Sequence, residues 1–127
     1  MAGTNTVTTA DLGKGVTHYT MDWLSDASGD VNTNTFDIAM GYIIAIKFTP
    51  DGGGTAPTAL YDVTLDDSDA YDLAGALGAN LSATVPSRSV PLVNTYGALF
   101  FEGGTCDLVV TNAGNAKGGI VELWVQG

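Results

Sequence analysis

Val16-Thr17-His18-Tyr19-Thr20-Met21-Asp22-Trp23-Leu24-Ser25, residues 16–25, is the stretch that decides the fold class. Tyr19, Met21 and Trp23 alternate with His18, Thr20 and Asp22. In a strand, successive side chains point to opposite faces, so this order gives one apolar and one polar face. A helix would scatter the same residues around its circumference. The segment therefore predicts a strand of an antiparallel sheet with one covered face.

The same grammar repeats on the C-terminal side. Ser25 to Asp30 is a turn cluster, and a short segment over 31–39 places Phe36 and Ile38 on one side. Tyr42 to Thr49 is apolar on both faces at first, as in a central strand. Pro50 to Pro57, with Gly52-Gly53-Gly54, is a loop. Residues 60–65 and 70–73 predict a hairpin turning through Asp66 to Asp69. Residues 73–81 lack β-branched side chains and predict a helical turn or an irregular loop. A long surface connection is expected over 82–95, which carries two prolines and the only arginine, Arg88. Strands over 97–101, 105–112 and 120–125 complete the chain. On the N-terminal side, residues 1–15 are polar without strong periodicity and are expected to be an arm, mobile or ordered against a neighbour.

Seven or eight short strands separated by turns indicate an all-β fold: an antiparallel β-sandwich or jelly-roll-like single domain over 16–127, with the short N-terminal arm 1–15. No long amphipathic helix is available for an α/β crossover. The length, 127 residues, suits one domain. Hydrophobic residues reach 45 %, enough for a packed core, whereas charged residues are only 14 %.

Four Lys/Arg against fourteen Asp/Glu give a formal net charge of −10. Such a surface repels nucleic-acid phosphates and anionic membranes, so neither is an expected partner. The longest apolar run, Tyr42 to Ile46, is too short to span a bilayer. No charged-then-apolar leader is visible, and a soluble protein made in a cytoplasm is expected.

No residue set points to catalysis. His18 lies on a polar strand face without a nucleophile motif beside it. Cys106, the only cysteine, sits in a strand pattern and is expected to act as a small hydrophobe. The acidic run Asp66 to Asp72 lacks the central Gly and closing Glu of a calcium loop, so its carboxylates are expected to bond to local amides. Gly52-Gly53-Gly54 is not followed by Lys-Ser/Thr and is no phosphate loop. Trp23 and Trp124 both occupy core-type positions in alternating strands. No catalytic, cofactor-binding or metal residue is expected, and the chain is not expected to be an enzyme.

Four stretches together carry a resemblance: His18 to Trp23, Phe48 to Thr58, Leu60 to Leu65 and Asn112 to Gly119. As a set spanning roughly 16–125, they resemble capsid decoration (cement) proteins of tailed bacteriophages. The resemblance implies a virion structural protein on the outer capsid surface, assembled in the host bacterial cytoplasm. It further implies a homotrimer whose partner is the major capsid protein, with contacts from the N-terminal arm or the loops at 50–58 and 82–95. The alternative is a carbohydrate-binding or host-adhesion module of a head fibre or tail, which requires a solvent-exposed Trp or Tyr.

Overall fold

The computed structural model describes residues 2–32, 34–90, 92–93, 96–97 and 99–127. Residues 91, 94 and 95 of the expected connection, 98 of the expected strand 97–101, and 33 in the segment 31–39 lie outside the described residues.

Two antiparallel sheets form the molecule, as the alternation at 16–25 predicts. The larger is built from β1 (Thr4–Gly13), β2 (Val16–Leu24), β4 (Gly41–Pro50), β6 (Ser87–Ser89), β9 (Leu99–Phe101) and β11 (Gly118–Gln126). Its order is β1-β2-β11-β4-β6, with β9 also paired to β4. The smaller sheet has the order β3 (Thr35–Ile38), β10 (Gly104–Thr111), β5 (Asp62–Asp67). A further pair, β7 (Leu92–Val93) and β8 (Tyr96–Gly97), stands apart. Short 3₁₀ turns occupy Gly53–Thr55 and Gly75–Gly78.

The core lies between the two sheets. Tyr19, Met21 and Trp23 of β2 face it from the large sheet, with Ile43, Ile46 and Phe48 of β4 and Val121, Leu123 and Val125 of β11. Ile38 of β3, Val63 and Leu65 of β5, and Cys106, Leu108 and Val110 of β10 meet them from the small sheet. Each such apolar side chain contributes about 1.5–3 kcal/mol on burial. Trp23 packs on Tyr61 with ring centroids 5.7 Å apart. Gly119 is required opposite Trp23, because a Cβ there would lie 2.7 Å from the indole Cζ2.

Two segments differ from their expectation. Residues 1–15, expected as an arm, hold β1, which is paired with β2 from Thr4↔Leu24 to Gly13↔Val16. The small sheet is narrower than the large one, so β1 is covered only near Val7, which packs against the core. Without burial it needs no apolar alternation, and its threonines suit an edge strand. Gly3 fixes its start: a Cβ there would collide with the carbonyl oxygen of Asp30. Within 82–95, Ser87-Arg88-Ser89 form β6 on β4, a three-residue edge strand that begins directly after Pro86.

The expected turn at 66–73 forms, but its return is one bridge, Asp66↔Asp72, and not a full strand. Asp72 Oδ1 accepts hydrogen bonds from Leu65 N and Ala74 N, each at 3.0 Å, and Leu73 N donates to Leu65 O at 2.7 Å. These bonds seal the edge of β5.

Candidate functional site

The outward face of the large sheet follows from parity. Because Val121, Leu123 and Val125 point inward, Ile120, Glu122 and Trp124 point out. Cross-strand rows then run Asp22–Ile120–Thr49, Thr20–Glu122–Lys47–Arg88 and His18–Trp124–Ala45. A β-bulge between Trp124 and Val125 leaves Ile44 as the extra residue of β4, so neither Ile44 nor Ala45 joins the buried core. Ile44, Ala45, Arg88 and Trp124 line an open concavity of about 330 Å³. Beside it, half-exposed Tyr42 and Phe100 meet edge-to-face at 5.3 Å.

Trp124 therefore corrects an expectation: it is half-buried on the outer face, not in the core. The indole stacks on His18 at 4.7 Å with planes 10° apart. His18 Nε2 lies 3.1 Å from Glu122 Oε1, an ion pair when the imidazole is protonated. A partly exposed pair of this kind contributes little stability but fixes the ring's orientation. His18 itself lies on the polar face, as its strand position predicts. The signal for Trp124 was present in Glu122, which shares its parity two residues earlier.

Charge divides sharply between this face and the rest of the molecule. Asp22 and Glu122 face outward here with Lys47 and Arg88, so two of each sign cancel. Neither Lys47 nor Arg88 forms an ion pair among the described residues. Twelve carboxylates and two lysines lie elsewhere and carry the whole net charge of −10. Of those lysines, Lys14 sits in the β1–β2 turn, and Lys117 Nζ donates to Gly54 O at 2.9 Å, tying down the loop at 50–58.

The opposite, outward face of the small sheet holds Asp37, Asp62, Asp66 and Asp107. Asp107 stands directly across from Asp66, and like charges in that position are destabilising. The buried Cys106 thiol is pushed up to about 12, first by burial and then by Asp67, Asp107, Asp37 and Asp66. As expected, Cys106 is a core side chain, and such a thiol holds almost no thiolate near neutrality. Asp72 is also raised above 3.8, mainly by burial and further by Asp66, against the lowering effect of its two amide bonds.

The acidic turn bonds to local amides as its composition predicts. Asp67 Oδ1 accepts from Asp69 N and Tyr71 N, both at 2.9 Å. Among the described residues, no group of three or more His, Cys, Asp or Glu is arranged to hold a metal ion. A second hollow, about 170 Å³, lies between Gly75–Gly78 and Leu99 and is lined mainly by Leu73, Ala74, Leu77 and Tyr71. Among the described residues that line it, Tyr71 is the sole ionisable side chain. No helix of the described residues is long and apolar enough to cross a membrane.

Compared with protein-family models, with curated proteins and with solved structures, the chain matches none.

Proposed function

We propose that this chain is a virion structural protein: a capsid decoration (cement) protein that forms homotrimers and binds the major capsid protein on the outer surface of a tailed-phage head. The observation that carries this reading is the broad outer face of the large sheet. It joins Trp124, Tyr42 and Phe100 to Arg88, and aromatic residues with arginine are the side chains enriched in the centres of protein–protein interfaces. The resemblance carried by His18–Trp23, Phe48–Thr58, Leu60–Leu65 and Asn112–Gly119 supplies the kind of assembly. The sandwich accords with this reading, since a shell-binding subunit works through faces.

Mixing the purified chain with undecorated heads tests the proposal. Co-sedimentation at saturable stoichiometry is expected. A cryo-EM map of the parent virion without this density on its shell would sink it.

One observation favours the alternative of a carbohydrate-binding or adhesion module. Trp124 is partly accessible beside a concavity that also holds Arg88, as sugar stacking would need. Trp23 offers no such surface, being 2 % exposed. Glycan-array binding abolished by Trp124→Ala would support the alternative.

A further inference from the structure

We infer that the concavity lined by Ile44, Ala45, Arg88 and Trp124 is a receptor for a carboxylate, an Asp or Glu side chain that a partner protein presents beside an apolar residue. This deepens the proposed function and rests on its protein-binding part, naming the chemistry the partner must bring.

The cations point to it first. The chain holds four Lys/Arg against fourteen Asp/Glu, yet two of the four stand directly opposite one another, Lys47 on β4 and Arg88 on β6. Like charges in that position repel. An acid is at hand to relieve them, because Glu122 is the cross-strand neighbour of Lys47 on its other side. Its carboxylate turns instead to His18, 3.1 Å away. Among the described residues neither cation forms an ion pair, so a bridging anion has to come from another molecule. The acidic body repels anions elsewhere, whereas on this face two acids and two cations cancel.

Hydrogen-bonding capacity narrows the class of anion. Arg88, Lys47 and Trp124 donate and do not accept, and the side chains of Ile44 and Ala45 do neither. An ionised carboxylate only accepts, and a guanidinium takes it through two parallel bonds. The hydroxyls of a sugar also donate. No side chain lining the hollow would receive those protons, which costs free energy when they leave water. Beside the cations lies an apolar shelf. His18 covers one face of the Trp124 indole, with ring centroids 4.7 Å apart, and the other face turns to the small side chain of Ala45. The hollow of about 330 Å³ suits one acidic side chain with an apolar neighbour, at the lower end of the roughly 300–1,000 Å³ of ligand pockets.

Titration calorimetry of the full chain with three probes tests the inference: the capped tripeptide acetyl-Leu-Asp-Phe-amide, its counterpart with Asn in place of Asp, and glucuronate. The aspartyl peptide is expected to saturate one site per chain with a Kd of about 1 mM or tighter, and the asparaginyl peptide to bind roughly tenfold more weakly or worse. Arg88→Gln and Lys47→Gln are each expected to weaken the aspartyl peptide about fivefold or more. Lys14→Gln removes the same charge from the β1–β2 turn and is expected to leave binding unchanged. Ala45→Leu fills the hollow and should weaken binding with both cations in place. Circular dichroism checks that each variant folds, and Arg88→Gln, on an exposed side chain, decides if Ala45→Leu does not. Absence of binding, equal binding of the two peptides, or binding untouched by Arg88→Gln and Lys47→Gln overturns the inference. Glucuronate binding more tightly than the aspartyl peptide overturns it in favour of the adhesion alternative. If the peptide binds as described but undecorated heads stay bare, the shell reading fails and the site stands. If heads are decorated equally by the wild type and by the double variant Arg88→Gln, Lys47→Gln, the site fails and the shell reading stands.

Discussion

Asp72 performs two tasks that two substitutions separate. Its Oδ1 is the acceptor for Leu65 N and Ala74 N, and both residues are buried, at 0 % and 1 % exposed. Asp72→Ala leaves both N–H groups without a partner. Each buried, unpaired donor costs about 1–3 kcal/mol, so a loss of about 2–6 kcal/mol is expected from a total of about 5–15 kcal/mol. Asp72→Asn keeps a carbonyl oxygen with two lone pairs at the same place and removes only the charge. Because burial, joined by Asp66, raises the folded-state pKa above 3.8, the folded chain holds more protons than the unfolded chain just above that pH. The group's favourable contribution is therefore full below 3.8 and is lost as pH rises through the raised value. At neutral pH, Asp72→Asn should equal or exceed the wild type in stability, with its advantage disappearing in acid. Urea unfolding followed by the fluorescence of buried Trp23, at neutral pH and near pH 3.5, measures both effects. If Asp72→Asn loses as much as Asp72→Ala at neutral pH, the charge is holding the edge of β5 and the reasoning fails.

Gly119→Ala should lower stability by about 1–3 kcal/mol in a thermal melt, since its Cβ must displace the Trp23 indole or the β4 backbone. Leu108→Ala, on the inner face of β10 and 0 % exposed, should cost about 2–5 kcal/mol, read by denaturant titration. The Cys106 thiol should resist a disulfide reagent in the folded protein and react promptly once urea unfolds it, a contrast that thiol titration follows directly. Deleting residues 1–13 removes β1 and uncovers the edge of β2, so a lower melting temperature and greater aggregation are expected in light scattering.

Legibility in the sequence tracked burial. The strand at 16–25 was readable because its inner residues are sealed by a second sheet while its outer ones are polar. β4 was readable as central, but its bulge was not, since Tyr42 to Ile46 is apolar on both sides of the slip. β11 shows the same difficulty: Ile120-Val121-Glu122-Leu123-Trp124-Val125 is nearly all apolar, and only Glu122 reports which set faces out. β1 and β6 were hidden for the opposite reason. Edge strands with little cover have no apolar rhythm to display. The outer face that forms the candidate site was therefore half legible. The alternation at 16–25 places His18 on it, whereas the nearly continuous apolar run at 120–125 predicts a core position for Trp124.

The order of the large sheet also has a temporal side. β11 lies between β2 and β4, yet a ribosome makes it after every other described strand. Until it arrives, β2 and β4 have no partner between them, and the inward sides of Met21, Ile46 and Phe48 stay open to water or to a chaperone. Pairing Val16–Leu24 with Gly118–Gln126 closes a loop of nearly the whole chain, so folding should be slow and wait for nearly complete synthesis. A message truncated before β11 would yield a polypeptide with most of the right strands and no way to assemble them. Such a product is expected to keep the apolar faces of β2 and β4 exposed, which opens the chain to proteolysis.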